Sequence, residues 1–289
     1  MKKLIATLLL AAVFAASPTR VLAQPSAHYV PGVEGIKGSS LPPPGVYVRD
    51  YNVVYFADRA NDSSGNKLVD PGVFIYANIP RLIWITDQKV LGGYLGVDAL
   101  IPLQYTDIDI VNKSTFGAGD LFAEATLSWH VDQADFSVGY GVWAPTGHSS
   151  TTDPTRPGAG FWTHMFTAGM TWYMDTEKKW ALSALSRYEI NHEKKDTDWT
   201  PGQAYTLEWG LSYALRKTVD VGVAGYYQQQ VTKDSGADSD KDKVVAIGPE
   251  IVMFCPKLGV FTSIRYNYEV LAEDRTQGHT IALTLTKRL

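Results

Sequence analysis

Residues 204–233 read AYTLEWGLSYALRKTVDVGVAGYYQQQVTK. In the first half, Tyr205, Leu207, Trp209, Leu211 and Tyr213 alternate with Ala204, Thr206, Glu208, Gly210 and Ser212. Past the break at Arg216 and Lys217, Val219, Val221 and Val223 alternate with Asp220, Gly222 and Ala224. A period of two puts successive side chains on opposite faces of an extended strand. Two such strands joined by so short a link form an antiparallel hairpin. One face is large and apolar, and the other carries glycines, hydroxyls and carboxylates. That division suits a barrel wall with lipid outside and a polar interior.

The pattern continues on both sides of this hairpin. Leu121, Ala123, Ala125, Leu127 and Trp129 oppose Asp120, Glu124, Thr126 and Ser128. Trp180, Leu182, Ala184, Tyr188 and Ile190 oppose Ser183, Arg187 and Glu189, and Ile281, Leu283 and Leu285 oppose Thr280, Ala282 and Thr284. About 12 such segments fill residues 45–289. Their connections alternate in length. Long ones include DRANDSSGNKLVDP, TDIDIVNKSTF, TGHSSTTDPTRPGAG, NHEKKDTDWTPG, KDSGADSDKDK and AEDRTQG, while short ones fall near Asp87, Asp132, Asp175, Arg216 and Pro256. Outer-membrane barrels have short periplasmic turns and long external loops. The expected fold is therefore all-β, a transmembrane antiparallel up-and-down β-barrel of about 12 strands. Closure leaves no backbone group unpaired in lipid. Trp129, Trp143, Trp172, Trp180, Tyr213 and Tyr268 sit near expected strand ends, as aromatic girdles do. Pro102 predicts a bulge or bend in the third strand.

Other features narrow the class. No stretch after residue 23 offers the ~20 apolar residues of a spanning helix. The net charge of −4 is that of a protein without a nucleic-acid partner. Residues 1–23, with Lys2 and Lys3 before an apolar run and Val21-Leu22-Ala23 as the cleavage site, read as a signal peptide. The single cysteine, Cys255, has no partner for an internal disulfide. Six histidines show no metal-ligand spacing, and Asp238, Asp240 and Asp242 lack the glycine and distal glutamate of an EF-hand, so no metal or cofactor is expected.

On the inward face the pattern places Asp98, Asp120, Glu124, Arg187, Glu189, Glu208, Asp220, Arg265, Asn267 and Glu269. Charges of both signs there either line a solute path or cross-brace and seal the wall. Residues 24–44, rich in Gly and Pro, precede the barrel. Their apolar members Tyr29, Val30, Val33 and Ile36 favour a hatch folded into the lumen over a periplasmic tail.

This same segment carries a likeness. His28-Tyr29-Val30-Pro31-Gly32, Gly35, Lys37 and Leu41 to Tyr47, together with Gly119 to Phe122 and Ala144 to Gly147, resemble a family of exported proteins named for the meta-pathway of phenol degradation. The resemblance implies an outer-membrane barrel and the passage of hydrophobic or aromatic small molecules; it supplies no binding residues. The expected function is thus an outer-membrane channel, not an enzyme. Its expected partners are outer-membrane lipid, small hydrophobic solutes and, during biogenesis, the barrel-assembly machinery. Two other readings stand beside it. One is a closed structural or adhesive barrel with partner-binding external loops. The other is a membrane-embedded lipid hydrolase, although G-x-S-x-G is missing.

Overall fold

The computed structural model describes residues 27–236 and 241–289. The expected signal peptide, residues 24–26, Asp238 and Asp240 lie outside the described residues. Along the chain come β1 (Gly45–Asn61), β2 (Lys67–Val69), β3 (Val73–Val90), β4 (Gly93–Leu100), β5 (Leu103–Ile108), β6 (Lys113–Ala118), β7 (Leu121–Val131) and β8 (Ala134–Ala144). There follow β9 (Thr163–Tyr173), β10 (Trp180–Asn191), β11 (Ala204–Arg216), β12 (Val219–Gln230), β13 (Lys243–Cys255), β14 (Val260–Glu273) and β15 (Thr276–Arg288).

The wall is an antiparallel barrel of 12 strands, closed by the pairing of β1 with β15 from Tyr47↔Arg288 to Ala60↔Thr276. The remaining three strands are extensions at the loop end: β2 pairs with β1, β5 with the start of β3, and β6 with β5. The third wall strand breaks at Ile101 and Pro102, as the proline requires, so β4 continues along β3 as β5.

Side-chain parity follows the sequence. On β15, Ile281, Leu283 and Leu285 face out, whereas Thr280, Ala282 and Thr284 are buried inside. The apolar exterior is what a closed sheet presents to a bilayer, and the fold is that of an outer-membrane barrel. Leu283, near the middle of β15, pairs with Ile264 on this face. Leu283→Arg is expected to cost roughly 2–4 kcal/mol of barrel stability at that depth, and Thr284→Ser, which faces inward, is expected to cost little. Urea unfolding in lipid vesicles reads both.

The exterior carries a polar island on β1 and β3. Asp50 and Asn52 on β1 and Asn78 on β3 face outward and satisfy each other, with Asn78 Nδ2 to Asp50 Oδ1 and Asn52 Nδ2 to Asp50 Oδ2 both at 2.8 Å. Tyr76 OH adds a bond of 2.9 Å to Asn52 Oδ1.

Two expectations need correction. AEDRTQG is no long loop: β14 runs to Glu273 and β15 starts at Thr276, leaving Asp274 and Arg275 as the turn. Beyond the Tyr268↔His279 pair these two strands are held by different neighbours, Lys243↔Glu273 on one side and Arg59↔Gln277 on the other. Trp143 is not a girdle residue either. It shares the inward face of β8 with Ser137 and Asp135, opposite the buried Phe122 of β7. Gly141, on the same face, leaves room for the Phe122 ring, since a Cβ there would lie 2.4 Å from Phe122 Cζ. Trp172 and Trp180, by contrast, are exposed on the outside near the short turns.

Candidate functional site

Residues 27–44 run inside the barrel. From Gly45 at the turn end the segment climbs backwards towards the loops, and wall side chains hold it at each level. Near the turns, Ser40 Oγ donates to Asp135 Oδ2 (2.7 Å) and Lys37 Nζ pairs with Asp220 (2.8 Å). One level up, Ile36 N donates to Glu250 Oε2 at 2.7 Å. At mid-height Glu208 Oε1 accepts from Gly32 N (2.8 Å) and Glu34 N (3.1 Å), and Oε2 accepts from Tyr29 OH (2.6 Å). Higher again, Glu189 Oε1 accepts from His28 N and Tyr29 N, both at 3.0 Å. These carboxylates replace the water that an irregular backbone would need, which is how such a segment can sit in a lumen without its own ladder.

Small residues make the fit. A Cβ on Gly35 would lie 1.8 Å from Arg265 Nη1 and 1.9 Å from Glu250 Oε2. Ile36 occupies space that the wall leaves by having Gly210 and Gly222 beside it, where a Cβ would come within 2.8 and 2.9 Å of it. Gly32 sits at φ +83°, left-handed backbone that favours glycine.

Above the Lys37–Asp220 pair the charges around this segment form two further pairs and one larger cluster. Arg265 donates to Gly32 O (3.0 Å), Val33 O (2.8 Å) and Glu250 Oε1 (3.1 Å). Arg187 bonds Glu208 Oε2 at 2.7 Å and lies 4.0 Å over the Tyr29 ring. Arg81 grips Asp98 through two 2.8 Å bonds and reaches Glu124 at 3.4 Å. Glu34 receives Arg49 (2.9 Å), Tyr51 OH (2.7 Å) and Arg81 (3.3 Å). Although burial favours the neutral acid, Arg49 and Arg81 hold the Glu34 carboxyl below the usual range.

All the charged residues expected on the inward face from the alternation lie there. Arg187, Glu189, Glu208 and Arg265 converge on the lead segment, and Asp120 touches its tip. Asp98 and Glu124 meet at Arg81. Glu269 stands apart, held by Tyr226 OH (2.9 Å), Tyr55 OH (3.0 Å) and Gly278 N (2.6 Å). Of the four apolar residues of the lead segment, Tyr29 and Ile36 are buried, Val33 is half-buried and Val30 is 52% exposed, facing a cavity. Sequence reasoning missed Glu34, Arg49, Arg81 and Glu250. Arg49 and Arg81 share the parity of Tyr51 and Ile83, and that signal was available.

Between the lead segment and the loops lies a cavity of about 290 Å³. Its floor is Tyr29, Val30 and Val33, and its walls include Ile75, Ile79, Leu100, Phe122 and Met165. Trp143, Phe161, Trp199 and Arg156 line it on the loop side. The loop over residues 145–162 is pinned from several sides. Asp120 accepts from Gly147 N (2.8 Å) and Ala159 N (2.7 Å), Asp153 pairs with Lys113 (2.7 Å), and Lys194 Nζ donates to Ser150 O (2.9 Å).

Burial, reinforced by the nearby Arg156, brings Lys194 down to about 8. A base whose folded pKa lies below its unfolded one leaves the folded loop increasingly stable as pH rises from about 8 towards the ordinary lysine value. Proteolysis within residues 145–162 is therefore expected to slow between pH 7 and pH 10, and Lys194→Met is expected to flatten that trend.

The sequence matches the family described as "Putative MetA-pathway of phenol degradation" over residues 57–285. The chain belongs to this family. Among solved structures, this family member is similar to an outer membrane channel from Pseudomonas putida F1, with 16% identity, a TM-score of 0.80, and coverage of 91% of this chain and all of that one. It also resembles the β domain of the Bordetella autotransporter BrkA, at 10% identity and a TM-score of 0.52, covering 86% of this chain and all of that domain. Both likenesses concern the fold. No curated protein matches the sequence.

Proposed function

We propose that this barrel is an outer-membrane channel for small hydrophobic or aromatic molecules, with residues 27–44 as its plug, and that it is not an enzyme. The observation that carries the reading is the apolar cavity stacked on the lead segment inside the lumen. A cavity of about 290 Å³ exceeds the ~150 Å³ in which a buried apolar site holds benzene. Its floor is the plug itself, so a solute resting there waits on the segment that must move for it to pass. The family's association with phenol degradation and the fold shared with the Pseudomonas putida channel both support this reading.

The competing reading, a closed structural barrel, draws on the same bonds: carboxylates and arginines that knit the segment to the wall also seal it. Liposomes carrying the purified protein separate the two. Faster entry of phenol or toluene than in protein-free liposomes supports a channel. Entry that is unchanged, both in the wild type and after weakening the plug, leaves the structural barrel.

A further inference from the structure

The tip of the lead segment fills an aromatic slot. The His28 ring lies parallel to Trp143, with centroids 5.3 Å apart and 3° between planes, and Phe161 closes the other side at 4.7 Å. Two acceptors meet its edge: Asp120 Oδ2 at 2.8 Å from Nε2 and Thr163 Oγ1 at 2.7 Å from Nδ1.

The hydrogen count of the wall fixes what the two partners can offer. Asn191 Nδ2 donates to Gly202 O, so its Oδ1 faces Thr163 and receives the Thr163 hydroxyl proton at 2.7 Å. Thr163 then has only lone pairs left for His28, and the carboxylate has only lone pairs as well. The slot is therefore built to hold a flat ring that donates twice from one edge. The cavity opens directly beside it, sharing His28, Trp143, Phe161 and Asp120 as lining.

We propose that this slot is a binding site for small aromatic rings carrying hydroxyls on adjacent carbons, and that His28 is a resident stand-in whose displacement by such a ring loosens the plug. The two hydroxyls donate to Asp120 and Thr163, and the ring takes the place of the imidazole between Trp143 and Phe161. Benzene-like solutes without donors fill the cavity but leave both acceptors to His28. The inference rests on the channel reading for the ligand's way in; the site itself is tested by equilibrium binding.

The experiment is calorimetric titration of the full-length protein in detergent with 1,2-dihydroxybenzene, phenol and 1,2-dimethoxybenzene. His28→Ala removes the competitor, so the dihydroxy ring is expected to bind about tenfold tighter than to wild type, while the dimethoxy ring gains much less. Adding Thr163→Val is expected to bring the dihydroxy ring down to the affinity of phenol. Equal gains for both substituted rings, or no gain for either, would overturn the site. Should His28→Ala fail to insert, tryptic cleavage of wild-type protein after Lys37 reads the same competition: the dihydroxy ring must speed it and the dimethoxy ring must not. Flux in parallel keeps the two claims apart. Donor-dependent binding without flux leaves the site and removes the channel, and flux without donor-dependent binding does the reverse.

Discussion

Glu208→Ala is expected to raise the flux of phenol through liposomes about tenfold or more while leaving insertion intact. Glu208 is the wall residue with the most bonds to the lead segment, taking Gly32 N, Glu34 N and Tyr29 OH. Hydrogen bonds to a charged group contribute about 1.5–3 kcal/mol each. Its loss also strands Arg187, whose partner at 2.7 Å is gone. Breaking one side of a buried ion pair costs about 3–5 kcal/mol, and the strain is relieved if the segment leaves and water enters. The wall does not need the carboxylate, because β11 stays paired with β10 and β12 through its backbone. Glu208→Gln keeps an acceptor for the two amides and is expected to fall between. A heat-modifiable band on unheated gels checks insertion. A variant that loses that band without changing flux would overturn the assignment of Glu208 to the inside.

Gly35→Val should act as strongly by a different route. Here nothing is removed. A Cβ at 1.8 Å from Arg265 Nη1 and 1.9 Å from Glu250 Oε2 cannot be accommodated unless that ion pair parts or the segment lifts. Both arms of the pair are buried and bonded to the segment itself, through Gly32 O, Val33 O and Ile36 N. Lifting is the cheaper response, and the expected result is a constitutively leaky barrel. Gly210→Val, which crowds Ile36 from the wall side, is expected to give the same phenotype. Trypsin cleavage after Lys37 in intact liposomes measures release directly.

The wall was readable from sequence because lipid imposes its demand on every second residue. Tyr205, Trp209 and Tyr213 on one side and Glu208 on the other fix the phase of β11 without reference to any neighbour. Trp143 misled for the converse reason. An aromatic near a strand end suits a girdle or a packed lumen equally, and only its partners Phe122 and His28 decide between them. AEDRTQG misled because loop composition, rich in charge and glycine, overlaps with that of a strand facing a polar interior. Inward charges were legible singly. Their pairing was not, since Glu34 and Arg49 meet only once the segment has folded back, and Arg81 and Asp98 only in the register of the β3–β4 hairpin, where Asp98 stands opposite Ile83.

Occlusion of the lumen by residues 27–44 is the central claim. Single-channel conductance in planar bilayers tests it, comparing the wild-type chain with one lacking residues 27–40. The predicted result is a wild type that is closed or flickers briefly and a deletion that stays open with a steady conductance. A folded deletion variant that conducts no more than the wild type would contradict it.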